Sequence, residues 1–201
     1  GTIYANNPAD IKAARAISDS NAVRCPDSEA ANKMESLIKE VHKEQDSIGG
    51  VVSCIIENCP VGLGEPLFDK LHARLGYTML NINAAKGFEY GDGFDSATQR
   101  GSYHNDSFTT NEKGDIATTS NHSGGIQGGI SNGQTISFRV AFKPTPTIGI
   151  AQQTVDKNLN AVTLEAKGRH DPCVVPRAVP VVENCAAFVI LDSILTNKIW
   201  Q

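Results

Sequence analysis

The clearest periodic signal in the chain lies in residues 34–41, where Met34, Leu37, Ile38 and Val41 recur at i, i+3, i+4 and i+7 among charged neighbours, the pattern of an amphipathic helix. It follows Cys25-Pro26-Asp27-Ser28, and Gly49-Gly50 reads as its stop. Upstream, Asn7-Pro8 supplies an N-cap and a first-turn proline to a short Ala-rich helix ending near Ser18. Residues 51–56 predict a buried strand, and the turn-rich residues 60–66 lead into a helix carrying Phe68, Leu71 and Leu75 on one face. Ile136, Phe138, Val140 and Phe142 alternate with polar or small residues as a half-buried strand requires, and Lys143-Pro144-Thr145-Pro146-Thr147 closes it. Two further strands flank Asp156-Lys157-Asn158, and a last helix from about Arg177 turns Val182, Ala186, Val189 and Ile190 inward. Helices and strands mixed in this way, with no internal repeat, predict an α+β fold.

The middle of the chain departs from this regularity. Residues 101–122 hold almost nothing that packs in a core and predict a long polar loop, mobile until a ligand orders it. Gly87, Gly91 and Gly93 interrupt an aromatic stretch before it, and Gly124-Gly125-Ile126-Gln127-Gly128-Gly129 follows it. Glycine turns let a backbone approach a phosphate or a flat ring closely and present amides to an anion. Neither familiar nucleotide-loop pattern is present. Lys143, beside two Pro-Thr pairs, is either a phosphate clamp or a plain strand terminator. Gly168-Arg169-His170-Asp171-Pro172-Cys173 sets a cation, an imidazole, a carboxylate and a thiol ahead of a helix. Asp171 is there either an N-cap or one of a group that must pair with each other or with a ligand. His122 abuts the glycine turn and is the histidine of interest; His42 and His72 read as solvated helix residues and His104 as part of the polar loop.

Composition narrows the partners. At 201 residues and 40% apolar the chain is read as a single domain over residues 1–201. With 18 Lys+Arg against 22 Asp+Glu the formal net charge is -4, which argues against nucleic acid. No apolar run approaches the roughly 18 residues a membrane span needs, and GTIYANNPAD lacks the order of a signal peptide, so the expectation is a soluble, cytoplasmic chain without a membrane partner. The 5 cysteines, with no CxxC pair, predict free thiols and no metal site.

Four ordered blocks carry a family resemblance: PVGLGEP at 60–66, INAAKGFEYGDGF at 82–94, SNHSGGIQGGISNG at 120–133 followed by Lys143-Pro144-Thr145, and GRHDPCVVPRAVPVVE at 168–183. Together they resemble the C-terminal portion of chorismate synthase. The resemblance implies a β-α-β sandwich of antiparallel sheets around central helices, a homotetramer, and a phosphate-eliminating carbon–oxygen lyase of the shikimate pathway. Such enzymes convert 5-enolpyruvylshikimate 3-phosphate to chorismate and phosphate by an anti-1,4-elimination that requires reduced FMN, with NADP as an associated cofactor.

Carried over residue by residue, the family's FMN contacts fall on Asn83, Ala84, Gly128, Lys143, Pro144, Thr145, Pro146, Thr147 and Arg169. The aspartate thought to manage the flavin N5 proton falls on Asp171. Cys185 stands where the family usually has an aliphatic residue, and Pro146-Thr147 where small hydroxyl residues are common. Nothing like the family's N-terminal Gly-Glu-Ser-His, which holds a catalytic histidine, occurs in the chain. The chain is therefore expected to be a truncated core portion, inactive alone; the alternative is a non-catalytic core or oligomerisation fragment, with or without residual flavin binding.

Overall fold

The computed structural model describes residues 2–5, 10–112, 114–166, 168 and 170–199. In chain order the elements are α1 (Ile11–Ser20), α2 (Ser28–Lys43), β1 (Gly50–Ile56), α3 (Leu71–Leu80), β2 (Ala85–Tyr90), a 3-10 turn (Gly93–Thr98), α4 (Gly101–His104), β3 (Phe108–Thr110), β4 (Ile116–Thr118), β5 (Ile126–Gln127), β6 (Ile130–Ser131), β7 (Ile136–Phe142), β8 (Gln152–Val155), β9 (Ala161–Leu164) and α5 (Val175–Ile199). They fall into two compact units, residues 1–50 with 142–179 and residues 51–141 with 180–201. The second division falls at Pro180, inside α5, where the helix lacks an N–H to give to its preceding turn.

In the first unit α1 and α2 each start on an aspartate. Asp10 Oδ1 accepts from the amides of Lys12 and Ala13, and Asp27 Oδ1 from that of Ala30, satisfying first-turn donors that a helix leaves open. The Asn7-Pro8 start expected for α1 lies outside the described residues. Val23, Cys25, Ala30 and Ala31 form a small core against which Ile3, Met34 and Ile38 pack. Contrary to expectation, Gly49-Gly50 is not the stop of α2: the helix already ends at Lys43, and Gln45 takes a left-handed φ of 61°. Gly49 is needed for another reason: a Cβ there would clash with the Phe142 carbonyl. β8 and β9 pair as the expected antiparallel hairpin, its turn held by Asp156 Oδ1 accepting from the amides of Asn158 and Asn160.

The second unit is built on a three-stranded sheet in the order β1-β7-β2. Its middle strand, β7, buries Ile136, Phe138, Val140 and Phe142 as the alternation predicts. β1 is an edge strand, which is why only Val52 is buried in a run that reads as wholly buried. α3 packs on β2 and contributes Leu71, Leu75 and Met79, all fully buried. Phe68, expected on that helix face, precedes the helix and is exposed. Asp69, with φ 56°, turns the chain so that the helix cannot extend back through it.

Two further expectations are corrected. Residues 101–122 are not an unstructured loop: they hold α4 and the antiparallel hairpin β3–β4, with Phe108 opposite Thr118 and Thr110 opposite Ile116. α5 starts at Val175, buries Val182, Ala186 and Val189, and leaves Ile190 half-buried. It is also long and apolar enough, by length and composition, to cross a membrane, with mean hydropathy 1.7 over its best window. Glu183 and Asp192 break the run of apolar residues without lowering that average, so counting consecutive apolar positions misses it.

Candidate functional site

The second unit holds a cavity of about 690 Å³ lined by aromatic and imidazole side chains, among them His72, Phe88, Tyr90, Phe94, His104 and His122, together with Gly128. Gly128 forms the exposed turn between β5 and β6 with φ +60°, and a Cβ there would meet nothing within 4 Å. The turn therefore approaches the cavity as bare backbone. Asn83 and Ala84 lie on the turn between α3 and β2, in the same unit. Asn83 is exposed, and Ala84 takes a φ of 69°, a strained conformation for a residue with a Cβ.

His72, expected from the sequence to be solvated, is half-buried. Its ring stacks on Tyr90 at 4.7 Å, its Nδ1 is buried without a hydrogen-bond partner among the described residues, and burial followed by the charge of Lys70 pushes its pKa down. It is therefore neutral at pH 7. His122 also lines the cavity. Its Nδ1 lies 2.7 Å from Asp92 Oδ2, and the rings of Tyr103 and His104 lie at 4.8 and 5.7 Å from its own. Burial raises the Asp92 pKa, but hydrogen bonds from Gln99 and His122 outweigh it and hold the carboxyl below its ordinary value. Asp106, only 3% exposed, accepts from Ser120 Oγ and from the amides of His122 and Ser123. Burial opposes its charge, yet these donors bring its pKa to about 2. One buried carboxylate thus ties the end of residues 101–122 to the start of the glycine turn.

The first unit carries the other predicted residues. Lys143, Pro144, Pro146 and Thr147 are exposed at the end of β7, and Thr145 is half-buried with its Oγ1 enclosed and without a hydrogen-bond partner among the described residues. A buried hydroxyl left in that state costs about 1–3 kcal/mol. Asp171 is not the N-cap of α5, which begins four residues later. Its Oδ2 accepts from Arg177 Nη1 at 2.8 Å, and Oδ1 has no hydrogen-bond partner among the described residues. His170 Nε2 lies 3.2 Å from the Ala166 carbonyl. Arg169 lies outside the described residues. Both segments touch residues 45–50: Ser47 Oγ donates to the Thr145 carbonyl at 2.6 Å, and the Ile48 amide to the Pro172 carbonyl at 2.8 Å.

The five cysteines are free, as expected, and Cys25, Cys54, Cys59 and Cys173 have thiols raised by burial above their ordinary pKa. Cys54 is pushed up to about 12 by burial and then by the charge of Glu183. Such thiols are poor nucleophiles at neutral pH.

A family model described as chorismate synthase matches residues 4–195. The chain belongs to the chorismate synthase family. Curated chorismate synthases from Cytophaga hutchinsonii and Bacteroides fragilis are 60% identical over 180 residues and 57% identical over 183. These matches cover 90% and 91% of this chain, and 50% and 51% of the relatives. A solved crystal structure of chorismate synthase superposes with a TM-score of 0.75 at 30% identity, covering 92% of this chain and 48% of that one. The α+β fold is therefore the chorismate synthase fold, and the chain spans about half the length of the chorismate synthases it matches. Sequence reading passed over Ser47, Asp92, Asp106 and Arg177. Ser47, Asp92 and Asp106 act through contacts distant in sequence, Arg177 bonds Asp171 six positions before it, and beside Ser47 the Gly49-Gly50 pair reads only as a helix stop.

Proposed function

We propose that this chain supplies flavin-binding and proton-handling residues to a chorismate synthase reaction, the conversion of 5-enolpyruvylshikimate 3-phosphate to chorismate and phosphate. The observation that carries the reading is Thr145, whose enclosed hydroxyl has no partner among the described residues and sits between exposed residues at the end of β7, one of them the cation Lys143. A buried polar atom without a partner fits a site completed by a polar ligand. The bare backbone of Gly128 and the strained turn at Ala84 fit close approach by a flat ring or a phosphate.

Reduced FMN, when bound, supplies transient electron density to the substrate. Lys143, Pro144, Thr145, Pro146, Thr147 and Arg169 would hold it. Lys143 brings a positive charge that stabilises an anion. Asp171, whose Oδ2 accepts from Arg177 Nη1, would offer its other carboxylate oxygen as a proton acceptor beside the flavin. The free thiols suit a cytoplasmic setting.

The chain is expected to bind FMN without turning over, since it lacks the Gly-Glu-Ser-His of the family and losing a general acid typically lowers rates about a hundredfold to ten-thousandfold. Titrating the chain with FMN and measuring anaerobic phosphate release from 5-enolpyruvylshikimate 3-phosphate tests both halves of this reading. Absence of flavin binding sinks the first, and release at an ordinary enzymic rate sinks the second. A second reading, a core that serves assembly, is favoured by α5, where Phe188, Leu191 and Leu195 are exposed opposite the buried face. A homotetramer would cover such a surface.

A further inference from the structure

Residues 45–50 have no role in the site read from the sequence, yet they are bonded to both segments of the first unit that carry it. On one side Ser47 Oγ donates to the Thr145 carbonyl at 2.6 Å and the Gln45 carbonyl accepts from the Gly149 amide at 2.9 Å, so the loop grips residues 143–147 at Thr145 and just beyond their end. On the other side the Ile48 amide donates to the Pro172 carbonyl at 2.8 Å, one residue from Asp171. Ser47 and Ile48 are consecutive, so the Thr145 and Pro172 carbonyls are held by neighbours whose Cα atoms stand about 3.8 Å apart. Asp46 Oδ1 accepts from the Ser47 amide at 2.7 Å and fixes the residue from behind.

We propose that Ser47 is a positioning residue for the flavin site: by holding the Thr145 carbonyl it aims residues 143–147 at the flavin and sets them against Asp171. This rests on the flavin reading proposed above. Ser47 holds the main-chain carbonyl of Thr145, whose side-chain Oγ1 is enclosed and satisfied by no described residue. Ser47 therefore acts on the ligand through Thr145 and does not touch it. A hydroxyl that merely satisfied a loop carbonyl would affect folding stability and leave flavin affinity alone.

The test is FMN titration of the chain, followed by quenching of flavin fluorescence and by the visible flavin spectrum, with thermal melting in the absence of FMN. Ser47→Ala is expected to weaken FMN about tenfold and to shift the bound-flavin spectrum toward that of free FMN. Ser47→Thr, which keeps the hydroxyl, is expected to restore both. Ser36→Ala, which removes a hydroxyl bonded to the Asn32 carbonyl on the exposed side of α2, is expected to change neither. Wild-type affinity in Ser47→Ala overturns the positioning role while leaving the flavin reading standing. Weakened binding that follows lost melting stability and is not restored by Ser47→Thr also overturns it, since Ser47 is then a structural group only. If Ser47→Ala does not fold, Ser47→Thr decides: wild-type affinity and spectrum support the role, and tenfold weaker binding by a folded Ser47→Thr overturns it. Failure of the wild-type chain to bind FMN overturns the flavin reading and this proposal with it.

Discussion

At the scale of single residues, Thr145 and Asp171 separate what the protein needs for its own stability from what it holds for a ligand. Thr145→Val removes an enclosed hydroxyl that has no partner among the described residues, so it should stabilise the flavin-free chain by about 1 kcal/mol in denaturant unfolding while weakening FMN about tenfold. Loss of stability would mean that the hydroxyl has a partner in the folded chain. Asp171→Asn keeps an oxygen for Arg177 Nη1 but cannot receive a proton at neutral pH. Placed in a chain of the relatives' full length, it should leave FMN affinity within about threefold and lower single-turnover rates at least a hundredfold. Normal turnover in that variant would reduce Asp171 to a partner of Arg177.

At the scale of elements, the segment from α4 to β4 shows how polar chain becomes ordered without a core of its own. Its hairpin residues are largely exposed, and a buried anchor is added where Asp106 gathers Ser120 Oγ and the His122 and Ser123 amides. Hydrogen exchange should therefore be fast at Thr109 and Ala117 and slow at His122 and Ser123. Asp106→Ala should make all four fast and lower unfolding stability by about 3 kcal/mol, because several buried donors lose their acceptor. The acid limb follows from the same contacts. The folded pKa of Asp106 is about 2, against an ordinary carboxylate value near 4, so its contribution is complete above about pH 4 and is lost as pH falls through about 2. Asp92 is depressed in the same direction and adds to that slope. A melting temperature unchanged between pH 5 and pH 2 would contradict this account.

At the scale of the whole chain, α5 combines a buried face of Ala178, Val182, Ala186 and Val189 with exposed Val181, Phe188 and Leu195 repeating every seven residues on another side. Arg74 and Asp192 form an ion pair from α3 to α5 within the second unit. A helix apolar on opposed sides leaves surface that water disfavours. The chain is accordingly expected to associate with rising concentration in sedimentation velocity, and Phe188→Glu with Leu195→Lys to reduce that association without altering α3–α5 contacts. Equal association of the double variant would place the contact elsewhere.

The sequence by itself determined the elements whose periodicity is local: the α2 face, the β7 alternation, the β8–β9 hairpin and the inward positions of α5. It also determined the family, because four ordered blocks survive as strings of residues whatever their neighbours in space. Where α3 begins, which strand is an edge, and how residues 101–122 become ordered were decided by tertiary contacts and by single left-handed residues such as Asp69 and Gln45. The same divide runs through the candidate site. Lys143, Thr145 and Asp171 are legible as residue types in a motif, whereas Ser47 reaches Thr145 across 98 positions and Asp106 reaches Ser123 across 17. A hydrogen bond leaves no trace in the spacing of its partners along the chain, so only the folded backbone could assign those residues their work.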